Sequence, residues 1–229
     1  MNDLRSRQRR LNLKDEDIYT VQALIQSVSG GDYSTKYCID DTISILTPTY
    51  GTLQMQIVAF DSDELTDGSG YAPVSLVCRH LVDVAQKWNE ANTNAGGYPN
   101  CTLRTWLNTV FASEIQSIIG TEHLASVKKS SYGPANTDSP QNNDPRSTLW
   151  SDELAWILSA REWGRTGRES AGVQYPALAK SALGKNYNIR STFTSKTTTL
   201  DFILANGIYG TDYSGITTAR PQRIGFCLK

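Results

Sequence analysis

TISILTPTYGTLQMQIVAF, residues 42–60, is the stretch of this chain that decides the fold. Both halves are rich in β-branched residues and in alternating apolar residues, which is typical of β-strands. Pro48 and Gly51 lie between the halves, and turns favour both residue types. The stretch therefore predicts a β-hairpin. The fold class follows from this hairpin together with the elements predicted on either side of it.

A helix is predicted before the hairpin, in residues 15–29. Its apolar residues are three and four positions apart and so share one helical face: Ile18, Val21, Leu24, Ile25 and Val28. Gly30 and Gly31 end this pattern. Two interpretations stay open: a helix that lies on its own domain, and a helix that docks the protein or joins copies of it.

The chain after the hairpin alternates between loops and core segments. Residues 61–70 predict a polar loop, and residues 74–85 predict a strand whose continuation as a helix stays open. Residues 101–120 have helical spacing and predict one or two core helices. Residues 130–148 are rich in Gly, Pro, Asn, Asp, Ser and Thr, which predicts a long surface loop.

The last third of the chain predicts further core and then short strands. Residues 149–158 are apolar and predict core, and residues 186–229 predict strands separated by polar loops. We therefore predict an α+β domain over residues 42–229, with helices early and an irregular, loop-rich β half late. An N-terminal arm over residues 1–41, basic at first and then helical, precedes this domain.

Composition and charge narrow the class of protein. A chain of 229 residues with 39% hydrophobic and 20% charged residues predicts a soluble protein with one globular core. Its net charge of -1 argues against nucleic acid or an anionic membrane as a partner, and the cluster of arginines in residues 5–10 is only a local arm. The sequence shows no secretory signal and no membrane-spanning run, so we expect synthesis in the cytosol and no membrane insertion.

The cysteines are expected to be buried thiols. They are far apart in the sequence and form no CxxC pair, which disfavours a zinc ribbon or a redox pair: Cys38, Cys78, Cys101 and Cys227. The five tryptophans are likewise expected to lie mostly in the core, although each is also a candidate ligand platform: Trp88, Trp106, Trp150, Trp156 and Trp163.

No complete catalytic motif is present. His80 and His123 are the only histidines, neither lies in a recognisable nucleophile motif, and both are interpreted as structural residues. Carboxylates in predicted loops are the candidates for glycosidase chemistry: Asp61, Asp63, Glu162 and Glu169. We expect a protein that is not an enzyme, with a glycan depolymerase as the alternative.

Neither a metal ion nor a cofactor is expected. Asp61, Asp63 and Asp67 superficially resemble a calcium-binding loop, but Leu65 occupies the third ligand position, so the segment is interpreted as a polar turn. Residues 164–167 contain two glycines but lack the spacing and the lysine of a phosphate-binding loop.

Several short motifs occur in an order that resembles a known family. The motifs are MQIVAFD (55–61), DGSG (67–70), NAGGY (94–98), LRTWLN (103–108), VKK (127–129), LW (149–150), LS (158–159), QY (174–175), IRS (189–191), and RP (220–221) with FCL (226–228). This set is similar to an uncharacterised domain of bacteriophage and prophage tail-associated proteins of gut bacteria. The resemblance covers about residues 42 to 229 and leaves the N-terminal arm outside it.

The ending of the chain also resembles the C-type-lectin-like domains of phage adhesins. This resemblance implies a lectin-like fold whose C-terminal strands and loops display a binding surface. Two departures occur near residue 190: Tyr187 or Asn188 replaces the usual tryptophan, and Thr192 replaces a proline.

The composition of residues 186–219 suits adaptable recognition. Tyr provides broad amphipathic contact, and Ser, Asn, Thr and Gly provide adaptable hydrogen bonding. Ordinary polar loops remain the alternative for this segment. The predicted ligand-binding residues are Tyr187, Asn188, Tyr209, Asp212 and Tyr213.

The resemblance implies a structural protein of a bacteriophage virion, in a tail fibre, baseplate or head fibre. Its domain is expected to bind a host-surface glycan or protein, and its N-terminal arm to bind other virion proteins. A homo-oligomer such as a trimer is expected. A decoration or connector protein with no host receptor is the alternative within the structural class.

Overall fold

The computed structural model describes residues 19–132, 148–164, 171–178, 182–192, 198, 200–212 and 215–229. Predictions for the arginines of the arm, for most of the loop at 130–148, for Glu169 and for Tyr213 lie outside these residues.

The described chain is a mixed α+β structure made mostly of strands, which confirms the predicted class. The strands are β1 (Tyr19–Thr20), β2 (Thr42–Thr47), β3 (Gly51–Glu64), β4 (Tyr71–Cys78), β5 (Val82–Gln86), β6 (Leu124–Ala125), β7 (Val127–Tyr132), β8 (Thr148–Glu153), β9 (Ala155–Ile157), β10 (Tyr187–Thr192), β11 (Leu200–Ile203), β12 (Tyr209–Asp212), β13 (Arg220–Gln222) and β14 (Ile224–Leu228). The helices are α1 (Val21–Ser29), α2 (Tyr33–Lys36), α3 (Thr102–Trp106), a π-helix (Leu107–Phe111) and α4 (Ala112–Ile119), with a 3-10 turn at Tyr98–Asn100.

The predicted hairpin is confirmed and supplies two of the seven strands described in the main sheet. β2 and β3 are antiparallel, with Thr47 opposite Gly51 across the turn. β3 continues as a strand to Glu64, further than predicted, so the expected polar loop begins only after that residue. The register of β3 against β4 shifts between Phe60 and Asp63, and such a bulge redirects the side chains that follow it.

The sheet is completed by the C-terminal strand. Its order is β1-β2-β3-β4-β14-β6, and β9 also pairs with β14. One edge of β14 therefore pairs with β4, and its other edge pairs with β9 and then β6. A strand paired on both edges and buried throughout explains the apolar ending IGFCL at 224–228.

Close packing around β14 leads to a prediction at Gly225. A Cβ atom there would lie 2.9 Å from the carbonyl oxygen of Leu76 and 3.1 Å from the ring of Trp156. Gly225→Ala is therefore expected to lower the free energy of unfolding by about 1–3 kcal/mol in urea denaturation. Gly30→Ala is the control and should cost less, because its nearest contact would be 3.3 Å. Unchanged stability of Gly225→Ala would contradict the packing described.

Helix α1 lies on its own domain, the first of the two interpretations above. The hydroxyl of Thr20 accepts a hydrogen bond from the backbone N–H of Ala23 and caps the helix, which thus begins later than predicted. Val21, Leu24 and Val28 are buried in the same core as the main sheet. The region predicted at 101–120 is helical as expected, and its apolar face packs into this core.

Three small sheets and a second core complete the described fold. β10, β11 and β12 form one sheet, β5 pairs with β13, and β7 pairs with β8. Residues 82–86 are thus a strand, which resolves the open question of a helix there. A second core joins β10 and β11 to β3 and β4 of the main sheet and contains Val58, Val77, Leu158, Tyr175, Leu178, Tyr187, Ile189 and Ile203. Val82 of β5 and Val127 of β7 belong instead to the main core.

The cysteines are free thiols, as predicted. Cys78, Cys101 and Cys227 are buried, and Cys38 is half-buried. Burial raises the pKa of Cys78 to about 11 and that of Cys101 to about 12, so both stay protonated at neutral pH. Among the residues that the structure describes, no helix is long and apolar enough to cross a membrane.

Candidate functional site

A cleft of about 160 Å³ lies between the β3–β4 hairpin and the β7–β8 hairpin. Charged residues supply half of its lining, and two large aromatic residues supply part of the rest. The lining residues are Ser62, Asp63, Glu64, Tyr71, Lys128, Lys129, Ser130, Trp150, Glu162, Gly172, Val173 and Arg190. They come from distant parts of the sequence and meet only in the folded chain.

Lys129 is at the centre of the cleft floor. Its side chain is 1% exposed, and its ammonium donates to Asp63 Oδ1 at 2.6 Å and to Glu162 Oε1 at 3.1 Å. It also donates to the hydroxyl of Tyr175 at 2.6 Å, and that hydroxyl donates to Asp63 Oδ2 at 2.7 Å. The ammonium nitrogen lies 3.6 Å from the ring centroid of Trp156, which adds a cation–π contact.

Arg190 is the second buried cation of the floor. Its Nη1 donates to Glu162 Oε2 at 2.5 Å and to the carbonyl oxygen of Ile157 at 2.6 Å. Its Nε donates to the carbonyl oxygen of Ser130 at 2.7 Å. The planar guanidinium thus connects β10 with β7 and β9 while it neutralises Glu162, a combination that a lysine ammonium does not match.

Both buried carboxylates are held as ions. Burial alone would raise the pKa of Asp63, but Lys129 and hydrogen bonds from Ser75 and Tyr175 bring it below its ordinary value. Burial also raises the pKa of Glu162, and the charges of Arg190 and Lys129 more than offset that effect. The pKa of Tyr175 is raised, by burial first and then by the two carboxylates.

These pKa directions limit what the floor does chemically. Most glycosidases need one of two carboxyl groups protonated near neutral pH so that it can act as a general acid. Asp63 and Glu162 are both ionised, fully buried and bonded to cations. The floor is therefore arranged to hold the two hairpins together and lacks a carboxylic acid ready to donate a proton.

The rim of the cleft is exposed and has a different character. Tyr71 is 58% exposed and Trp150 is 53% exposed. Lys128 and Glu64 form a partly exposed ion pair between the two hairpins. The prediction that Trp150 lies in the core is wrong, whereas Trp156, six residues later, is fully buried.

Strand β8 carries Trp150 and is anchored from behind by the helices. Arg104 Nε donates to Glu153 Oε1 at 2.6 Å, and Asn108 in the π-helix donates to Glu153 Oε2 at 2.5 Å. The backbone N–H of Leu154 donates to Asn108 Oδ1 at 2.7 Å. A π-helix is often found where a helix residue has a special role, and here it brings the Asn108 amide to the end of β8.

The carboxylates predicted in loops have other surroundings in the structure. Asp63 lies in β3, so its prediction as a loop carboxylate is wrong, whereas Glu162 lies in a turn as predicted, and both side chains are buried. Asp61 Oδ1 accepts from the hydroxyl of Tyr33 at 2.6 Å, and Asp67 caps its own turn by accepting from Ser69. No group of three His, Cys, Asp or Glu suited to a metal ion occurs among the described residues.

The histidines lie away from the cleft. His80 Nε2 is 3.7 Å from the thiol of Cys78, and burial lowers the pKa of His80. The carbonyl oxygen of His123 accepts from the backbone N–H of Lys229 at 3.0 Å, next to the C-terminal strand. Neither residue lines the cleft.

Among the predicted ligand-binding residues whose side chains the structure describes, Tyr187, Asn188 and Tyr209, none lines the cleft. Tyr187 is 1% exposed in the second core, and Asn188 is fully buried and accepts from Arg220 at 3.0 Å. Their side chains therefore pack inside the domain and are not part of its surface. Tyr209 is half-buried against the same second core and donates a hydrogen bond to Asp201. Asp212 ends β12, and Tyr213 lies outside the described residues.

The cleft residues were not identified as one site from the sequence, although Asp63, Glu162 and Trp150 were each named separately as candidates. Two further signals were present in the sequence: Lys129 lies two positions after an apolar residue, and Arg190 is flanked by an apolar and a small residue. Comparisons of the chain with protein-family models, with curated proteins and with solved structures gave no match.

Proposed function

We propose that the chain is a non-enzymatic structural and binding protein of a bacteriophage virion, part of a tail fibre, baseplate or head fibre. The observation that carries the binding role is the cleft, which presents aromatic side chains and an ion pair above a floor of mutually bonded charges. The ordered motifs over residues 42–229 carry the virion role.

The chemistry of the cleft favours binding over reaction. The floor charges are bonded to one another and buried, so they stabilise the shape of the cleft. The rim offers Tyr71 and Trp150, and amphipathic aromatic residues of this kind are enriched where proteins recognise partners.

A C-type-lectin-like fold is part of the proposal. The main sheet shares its core with the helices and is followed by an irregular half of short strands, which is compatible with the fold that the resemblance implies. Strand β12 and the residue that follows it remain the proposed place of further contacts, through Tyr209, Asp212 and Tyr213.

The N-terminal arm is proposed to attach the domain to other virion proteins. Because α1 packs on its own domain, this role is assigned to the segment before β1, with its cluster of arginines in residues 5–10. Assembly as a homo-oligomer, such as a trimer, would place several clefts side by side. Several weak contacts then act together, which raises the overall affinity without a deep pocket.

The location of the protein on intact particles tests this proposal most directly. An antibody against the purified chain is expected to label tail fibres, baseplates or head fibres in electron micrographs of particles. Purified protein is expected to bind host cells, and to release no reducing sugar ends from host glycans. Absence from particles would refute the virion role, and release of reducing ends would establish the depolymerase instead. Labelled particles without binding to host cells would leave the connector role.

A further inference from the structure

Two exposed aromatic residues, on different hairpins, line one cleft. Tyr71 and Trp150 are the two aromatic side chains more than half exposed in the part of the chain that the structure describes. Lys128 and Glu64 lie with them in the lining. We call these four residues, Trp150, Lys128, Glu64 and Tyr71, the rim row.

Strand register places the rim row in a defined order. On the first hairpin Glu64 is directly opposite Tyr71. On the second hairpin Ser130 is opposite Trp150 and Lys128 is opposite Asp152, so Lys128 and Trp150 are diagonal neighbours on one face. Such neighbours are roughly 7–8 Å apart, within reach of long side chains. The Lys128–Glu64 ion pair joins the hairpins, and the order is aromatic, cation, anion, aromatic.

We propose that the rim row binds one neutral sugar residue of a glycan, which deepens the proposed function and rests on it. The apolar face of the sugar ring packs on Trp150, and Tyr71 borders the opposite end. Neighbouring hydroxyl groups donate to the carboxylate of Glu64 and accept from the ammonium of Lys128. An ammonium has three donors and a carboxylate accepts several hydrogen bonds, so their mutual bond leaves capacity for a ligand.

The charge of the cleft favours a neutral ligand. Three acidic and three basic residues line it: Asp63, Glu64, Glu162, Lys128, Lys129 and Arg190. The buried four are bonded to one another, so the exposed Lys128–Glu64 pair meets the ligand with no net charge. Asp152, opposite Lys128, adds a negative charge nearby. An acidic sugar or a phosphate would therefore meet repulsion from Glu64 and Asp152, and the described lining residues form no positive groove for a nucleic acid strand.

The size of the cleft favours a single ring. Pockets that enclose a drug-sized ligand measure about 300–1,000 Å³, whereas this cleft measures about 160 Å³. A shallow site of this volume holds one residue of a larger molecule and leaves the remainder outside. One site is expected to bind its sugar weakly, and an oligomer with several such sites would bind a glycan more tightly.

Binding of neutral oligosaccharides to the purified full chain tests this inference. The probes are oligosaccharides that end in each common neutral hexose, 6-deoxyhexose and N-acetylhexosamine, with oligogalacturonate, in which every residue is acidic, as the counterpart. We expect at least one neutral probe to shift the indole N–H signal of Trp150 in NMR spectra and oligogalacturonate to leave it unchanged. Binding of oligogalacturonate alone, or of no neutral probe, would overturn the inference.

Substitutions separate the rim row from the rest of the surface. Trp150→Ala is expected to weaken binding of the neutral probe about tenfold or more, the usual scale for a central aromatic contact. Leu46→Ala is the matched control, since Leu46 is 74% exposed and does not line the cleft. Thermal melting checks that both variants are folded. Equal affinity of Trp150→Ala and the unchanged protein would also overturn the inference.

A second pair of variants tests the polar contacts. Glu64→Gln with Lys128→Gln is expected to weaken binding of the neutral probe several-fold, while Asp83→Asn with Lys185→Gln, at another exposed ion pair, is expected to have no effect.

Failure of the inference is distinguishable from failure of the proposed function. Protein that labels particles and binds host cells after Trp150→Ala retains the virion role and loses only the rim row as its ligand site.

Discussion

Lys129→Met is expected to lower the free energy of unfolding by about 3–5 kcal/mol, the usual cost of removing one partner from a buried ion pair. Methionine fills much of the same volume but leaves Asp63 without its cation. Glu162 retains Arg190, so most of the cost comes from Asp63. Chemical denaturation of the purified variant at neutral pH measures this difference.

The adjacent residue provides the control for this prediction. Lys128 also forms an ion pair with a glutamate, but both side chains are partly exposed to water. Lys128→Met is therefore expected to change stability very little, because exposed ion pairs contribute little. A similar loss in both variants would contradict the claim that burial of Lys129 is what matters.

The pH dependence distinguishes an unpaired buried charge from a simple packing defect. In the unchanged protein the pKa values of Asp63 and Glu162 are lowered, so their contribution is present above the ordinary values of about 3.9 and 4.3 and is lost as the pH falls further. In Lys129→Met the pKa of Asp63 should instead lie above its unfolded value. Protonation then relieves the defect, and the difference between the two proteins should narrow from pH 7 towards pH 4. A difference independent of pH would point to packing alone.

The spacing of apolar residues along the sequence predicted the hairpin and the helices of the main core. The β2–β3 hairpin follows from alternation around a turn, and the helices within 101–120 follow from three- and four-residue spacing. The start of α1 was predicted too early because Ile18 continues the apolar spacing, whereas the Thr20 cap fixes the first turn.

The floor of the cleft could not be predicted in this way. Its ions are at positions 63, 129, 162 and 190, and nothing in the neighbouring sequence of each indicates which partner it meets. A carboxylate in a polar segment looks exposed, and Asp63 is buried only because β3 runs past Phe60 and is covered by Lys129 and Tyr175. Buried charges require partners, so the correct interpretation depended on tertiary contacts.

The burial of the tryptophans and tyrosines also could not be predicted from local sequence alone. Trp150 and Trp156 belong to one apolar stretch, yet Trp150 faces the cleft mouth on β8 while Trp156 packs beneath Lys129 on β9. Composition suggested a recognition surface at Tyr187 and Asn188, but every residue of β10 is buried. A strand covered on both faces does not show the alternation that separates inner from outer residues.

Arg190→Met is expected to lower the free energy of unfolding by about 3–5 kcal/mol, since Glu162 loses a buried partner. Two carbonyl oxygens also lose their donors: that of Ser130 loses Nε, and that of Ile157 loses Nη1. Because Arg190 joins β10 to β7 and β9, the loss should loosen the second core relative to the main sheet. Amide hydrogen exchange is expected to rise first in β10, while β3 and β4 keep their protection.

Arg190→Lys separates the charge of this residue from its geometry. Lysine keeps a cation near Glu162, but one ammonium does not reach the three acceptors that the guanidinium fork bonds. We expect Arg190→Lys to lower the free energy of unfolding by about 2 kcal/mol, because hydrogen bonds to a charged donor are worth about 1.5–3 kcal/mol each. Its stability then lies between those of the unchanged protein and Arg190→Met. A lysine variant as stable as the unchanged protein would show that charge alone suffices, whereas one as unstable as Arg190→Met would show that the fork is indispensable. The intermediate result is the one that this structure requires, since the same guanidinium neutralises Glu162 and ties together the strands that support the cleft.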